Sequence, residues 1–70
     1  MDIIQALKNR RHELGITQEE LADIADVGLR SLKAIETGNA NPTLDTLNKI
    51  ANVMGMEVKL EAISKFQNIK

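Results

Sequence analysis

The feature that most restricts this chain is its punctuation. Start and stop signals recur so closely between Asp2 and Gly55 that no helix can grow long. Asp2 followed by Gln5 has capping-box spacing and opens a first helix, which Gly15 ends in a left-handed turn. Thr17-Gln18-Glu19-Glu20 is a second capping box, in which the Thr17 hydroxyl serves an orphan N–H and Glu20 reaches back. The helix it opens runs to about Asp26, and after a turn around Asp26 and Val27 a third helix stops at Gly38. Pro42 cannot continue a helix and restricts Asn41 before it, so Asn39 to Pro42 form a loop. Thr43 then caps a fourth helix, which Gly55 terminates. The second of these pieces, roughly nine residues long, would not be stable alone in water. It holds only by packing on its neighbours.

The apolar positions say how. Ile4, Leu7 and Leu14 form one stripe; Leu21, Ile24 and Ala25 a second; Leu32 and Ile35 a third. Leu47, Ile50, Ala51 and Met54 follow at i, i+3, i+4 and i+7. The period then changes: Met56-Glu57-Val58-Lys59-Leu60-Glu61-Ala62 alternates apolar and charged, the pattern of a half-buried strand. Such a strand has no partner in its own subunit. Two copies could pair across a two-fold axis and bury Met56, Val58 and Leu60 against the helices. The alternative, an amphipathic fifth helix, fits an apolar spacing of two poorly. Ile63, Phe66 and Ile69 recur every third residue, as a last helical turn or a partner-docking tail would. The expected division is a helical domain over residues 1–55 and a dimerisation strand with its tail over 56–70.

Composition narrows the function classes. A chain of 70 residues buries only roughly 60% of its unfolded surface, and small scaffolds without staples often oligomerise. There is no cysteine, hence no disulfide framework, thiolate nucleophile or Cys-ligated zinc. No metal or cofactor is expected. No run of about 18 apolar residues exists and the N-terminus lacks an apolar h-region, so a cytoplasmic location without membrane insertion is expected. Phe66 is the one aromatic residue, which excludes stacking platforms for single-stranded nucleic acid, such as RRM or OB-type readers. Lys and Arg total 9 against 10 Asp and Glu, a net charge of −1. That argues against a generic nucleic-acid binder unless the cations share one face. Lys8, Arg10, Arg30 and Lys33 can do so, while acidic residues cluster on the second helix.

Two short helices joined by a turn of roughly three or four residues, with a capped helix on either side, define a helix-turn-helix. Leu14-Gly15-Ile16-Thr17-Gln18-Glu19-Glu20-Leu21-Ala22, Ile35-Glu36-Thr37-Gly38 and Asn41-Pro42-Thr43-Leu44-Asp45-Thr46-Leu47 stand in the order and spacing of one family. On them, the segment from Arg11 through Met54 resembles the Cro/C1-type (XRE family) helix-turn-helix domain of phage repressors and bacterial regulators. The resemblance implies an all-α, lambda-repressor-like bundle of four to five short helices that acts as a transcriptional regulator. It places Gln18 and its helix N-terminus at a DNA phosphate and the third helix in the major groove of double-stranded DNA. Leu29, Arg30, Ser31, Lys33 and Ala34 would face base edges, with Arg30 suited to guanine O6 and N7. Leu29 or Ala34 could touch a thymine methyl, and Thr37, Asn39 and Asn41 would approach the backbone. Thr17 is a cap before it is a ligand, and Asn39 and Asn41 are turn residues first.

Arg11 lies on the stripe of Leu7 and Leu14, and Glu36 follows Leu32 at i+4 on the inward face of the third helix. Opposite charges in apolar stripes need one another, and the family resemblance implies the same Arg11–Glu36 pair. Arg10 and Lys8 are then the freer candidates for phosphate contact. Three departures from the family pattern stand out. Asp26 occupies a place where the family usually has glycine in an αL turn, and Gly28 one where Ser or Thr usually caps. Asn39-Ala40-Asn41 replaces a loop that many relatives make basic, so fewer phosphates would be neutralised and two half-sites required.

The segment Gly55-Met56-Glu57-Val58-Lys59-Leu60 is similar to HipB-like antitoxins. There, paired C-terminal strands cap a homodimer that binds a palindromic operator, represses its own operon and engages a HipA-like kinase toxin. Three classes therefore compete: a DNA-binding repressor, with or without antitoxin duty; an interaction module that kept the fold but lost DNA binding; and an enzyme. The last is weak, because His12 is the sole histidine and sits without a carboxylate–His spacing that suggests a site. Glu19-Glu20 is a helix-start pair favoured by the macrodipole, not a catalytic dyad.

Overall fold

The computed structural model describes residues 2–62 and contains four α-helices, α1 (Ile3–Leu14), α2 (Gln18–Ala25), α3 (Leu29–Glu36) and α4 (Leu44–Asn52). Their starts follow the capping chemistry. Thr17 accepts from the Glu20 amide while Glu20 accepts from the Thr17 amide, a complete capping box. Thr43 accepts from the Thr46 amide. Asp2 caps α1 through the Ile4 amide, but its expected box is not closed: Gln5 turns away and donates to Asn9. Gly28 gives α3 no side-chain cap.

All four helices end in one way, with a backbone N–H reaching back five residues across a left-handed position. The bonds run Ile16 to Arg11, Val27 to Ala22, Asn39 to Ala34 and Met56 to Ala51. The left-handed residues are Gly15, Asp26, Gly38 and Gly55, and glycine takes this conformation without a Cβ penalty. Asp26, at φ 57°, is the one non-glycine residue with positive φ among the described residues.

The core is built from Leu7, Leu21, Ala22, Ala25, Leu32, Ile35, Leu47, Ile50, Ala51 and Met54. Leu21, Leu32 and Ile50, one each from α2, α3 and α4, are the largest side chains shut off completely. α2 packs on α3 and α4, and α1 packs on α3. Two expected core positions are corrected. Ile24 is 60% exposed, because the buried arc of α2 runs through Leu21, Ala25 and Ala22, leaving Ile24 about 110° from its centre. Leu14 keeps the angle of the Leu7 stripe, yet it is the last residue of α1 and is 44% exposed.

Residues 56–62 form neither a strand nor a helix within the single chain. Met56 and Val58 nevertheless lie half-buried against the core while Glu57 and Lys59 face out, and the Val58 amide donates to Asn48 Oδ1 at 2.8 Å. Leu60 is wholly exposed. The Ile63, Phe66 and Ile69 recurrence lies outside the described residues. No helix among the described residues is long and apolar enough to cross a membrane.

Candidate nucleic-acid interface

α2, the turn at Asp26–Gly28 and α3 form a packed two-helix unit, and two side-chain anchors tie it to α4 and α1. At the turn, Lys49 of α4 donates to the Asp26 carbonyl at 3.3 Å, meeting a group that the end of α2 leaves free. At the far end of α3, Glu36 is buried and forms a two-pronged pair with Arg11: Nε to Oε2 at 2.9 Å and Nη2 to Oε1 at 3.0 Å. Arg11 Nη1 also donates to the Ile16 carbonyl at 3.0 Å, so the guanidinium clips α1, the α1–α2 link and α3 together. The expected ion pair is therefore present, in the geometry that best offsets desolvation. Burial, the largest single influence, pushes the Glu36 carboxyl up. Hydrogen bonds from Arg11 and Gln18, with the charges of Arg11 and Lys8, outweigh it and hold Glu36 below its ordinary value.

Gln18 has a task that its position at a helix start did not reveal. Its Nε2 donates to Glu36 Oε1 at 2.9 Å, making it the third donor to the buried carboxylate. Spacing within one helix cannot show this bond, which joins residues on two elements. His12 adds a further contact: Arg11 Nη2 lies 3.1 Å from its Nε2. A guanidinium only donates, so that ring nitrogen accepts.

The outward face of α3 carries Arg30, Ser31 and Lys33, all exposed and without a side-chain hydrogen bond or ion pair to another described residue. Leu29 and Ala34 are half-buried, and Leu29 packs partly against the core, so it offers an edge rather than a free side chain. Arg30, Ser31, Ala34 and Asn41 share one open cleft, whose other wall is Pro42, Thr43 and Thr46. α3 and the loop thus bring four candidates together. The Thr43–Thr46 wall was missed because Thr43 reads completely as a cap.

Other candidates are occupied. The Thr37 hydroxyl lies within bonding distance of the Lys33 and Ala34 carbonyls, at 3.0 and 3.1 Å, and accepts from Asn39 at 3.2 Å. Thr17 is used as a cap. Arg10 is not the free cation expected: its Nε donates to the Met54 carbonyl at 2.9 Å and its Nη1 pairs with Glu13 at 3.3 Å. It closes the end of α4 instead. Glu19, Glu20 and Asp23 line a separate groove against Leu29.

Residues 7–63 match the helix-turn-helix family. An uncharacterised HTH-type transcriptional regulator of Methanothermobacter thermautotrophicus is 39% identical over 51 residues, covering 73% of this chain and 74% of its own length. The cryptic phage CTXphi transcriptional repressor RstR of Vibrio cholerae is 34% identical over 58 residues, 83% of this chain and 52% of the repressor. The immunity repressor protein of Bacillus phage phi105 is 36% identical over 58 residues, 83% of this chain and 40% of that protein. The chain thus spans about half or less of the two phage proteins. The matched span contains α2, α3, α4 and both anchors of the two-helix unit, and this chain belongs to the helix-turn-helix family.

Proposed function

We propose that the chain is a transcriptional repressor that binds a palindromic operator in double-stranded DNA as a homodimer, with α3 in the major groove. The observation that carries this reading is the outward face of α3: Arg30, Ser31 and Lys33 are exposed on a helix whose C-terminal end is held by Arg11 and whose preceding turn is tied to α4 by Lys49. A cation mounted on a formed helix is suited to base-edge recognition, since no backbone has to be ordered on contact. Arg30 reads a guanine, and Lys33 meets a base or a phosphate. Gln18 and Asn41 hold the backbone on either side. The relatives named as regulators and repressors support the same reading. The dimer forms through residues 56–62, whose inward Met56 and Val58 and outward Leu60 offer an edge for a second copy. The antitoxin duty and its kinase partner rest on the resemblance of the 55–60 segment alone.

Gel-shift titration with the DNA upstream of the chain's own coding sequence tests the proposal. A shifted palindromic fragment, lost on Arg30→Ala and weakened by salt along a log–log line, is expected. The competing reading, a protein-interaction module, draws on the acidic Glu19, Glu20 and Asp23 groove and the −1 net charge. Failure to shift any promoter fragment at low salt would favour it.

A further inference from the structure

Resting on the reading of Gln18 as a DNA contact, we infer that Glu36 is a positioning residue for DNA binding, aiming the Gln18 amide through the bond between them. The Glu36 carboxylate is ionised, and an ionised carboxylate only accepts hydrogen bonds. It therefore selects which end of the Gln18 amide turns inward: Nε2 donates to Oε1 at 2.9 Å. That nitrogen carries a second N–H, and the amide oxygen points away from the carboxylate. Gln18 is half-buried at the first position of α2, and its bond to Glu36 leaves the second N–H without a partner among the described residues, available to a ligand at the start of that helix. A phosphate accepts from N–H and repels an amide oxygen, so an unguided Gln18 would present the wrong end for part of the time. Glu36 is itself fixed, because Arg11 grips both of its oxygens. The buried pair thus does more than tie α1 to α3. It orders a neutral side chain at the surface that the net-negative chain uses where it lacks cations.

The test is a double-mutant cycle on DNA affinity, read by anisotropy of a fluorescein-labelled random-sequence duplex at low, fixed salt. Gln18→Ala, Glu36→Gln and their combination are compared with the unaltered chain, with folding followed by circular dichroism. Each single change should weaken binding about three- to tenfold, the worth of one hydrogen bond. The combination should bind no more weakly than Gln18→Ala alone. For Glu36→Gln the sign is informative, because removing a negative charge from a DNA-binding protein should by itself strengthen binding. Losses that multiply in the combination, or a folded Glu36→Gln that binds like the unaltered chain, overturn the inference.

If Glu36→Gln unfolds, the unaltered chain provides the second measurement. The Gln18 side-chain N–H signals in a ¹⁵N-labelled sample should shift on adding duplex, and unmoved signals overturn the inference. Arg30→Ala separates this failure from a failure of the DNA-binding reading. Weakened binding by Arg30→Ala beside an additive cycle removes only the role of Glu36. An unaltered chain that does not bind the duplex removes both.

Discussion

Glu36 is buried at the end of α3, where Arg11 and Gln18 both meet its carboxylate. Its side chain is 5% exposed and that of Arg11 12%, so removing either charge strands the other in a poorly solvated place. Glu36→Ala should cost about 3 kcal/mol, a large share of what so small a domain has. Thermal melting that shows no loss would dismiss the pair as a surface ornament. The Arg11→Met/Glu36→Leu combination should recover much of that stability, since a well-packed apolar pair can replace a buried ion pair. pH carries a matching signature. The carboxyl is held below its ordinary value when folded, so its contribution is complete above the unfolded carboxylate range and is lost as pH falls through the folded value. Melting temperatures followed from neutral to acid pH should therefore fall more steeply for the unaltered chain than for Glu36→Gln. Parallel curves would refute the linkage. The pair itself was legible, because Arg11 and Glu36 stand out in otherwise apolar stripes. The Gln18 bond was not, since it depends on how α2 is set against the end of α3.

At the scale of the helix, the ends were more legible than the faces. Cap chemistry is local, a matter of a hydroxyl and an amide three residues apart, and Thr17, Thr43 and the glycine stops fall where the sequence places them. Faces depend on which neighbour arrives, so Ile24 and Leu14 look inward on a wheel and outward in the molecule. The same contrast separates the two departures at the α2–α3 turn. Asp26 holds a left-handed conformation that costs a residue with Cβ roughly 1 kcal/mol or more, less for Asp than for most. Asp26→Gly should relieve that strain while adding freedom to the unfolded chain, for a net gain of at most about 1 kcal/mol in chemical denaturation. Gly28, by contrast, sits at φ −67°, where any residue is comfortable, and a Cβ there would meet only Ser31 Oγ at 3.7 Å. Gly28→Ser should therefore stabilise α3 by about 0.5–1 kcal/mol, adding a cap and stiffening the unfolded chain. The denaturation midpoint should rise without a change in slope. A fall would mean that the serine cannot reach its amide.

For the whole molecule, the proposed dimer turns on the alternating segment at residues 56–62. Its period of two was legible in the sequence, and within one chain it survives as the half-buried Met56 and Val58. A ladder was not legible there, because a strand needs a second strand and the described residues of one chain supply none. The structure also changes which substitution is informative. Val58→Pro would break a strand, yet it also removes the Val58 amide that Asn48 holds at 2.8 Å, so it damages the monomer as well. Leu60 has no such tie, being wholly exposed. Leu60→Glu should leave the melting of dilute, monomeric protein unchanged, since surface substitutions away from special features stay within about 0.5 kcal/mol. At higher concentration it should move the chain from dimer to monomer in sedimentation, because a charge would be buried on each side of the two-fold axis. Operator binding should fall with it, as one recognition helix reaches one half-site and the second lies about 34 Å away. A Leu60→Glu chain that stays dimeric would place the two-fold contact elsewhere, with the exposed Ile3 and Val53 the next positions to alter.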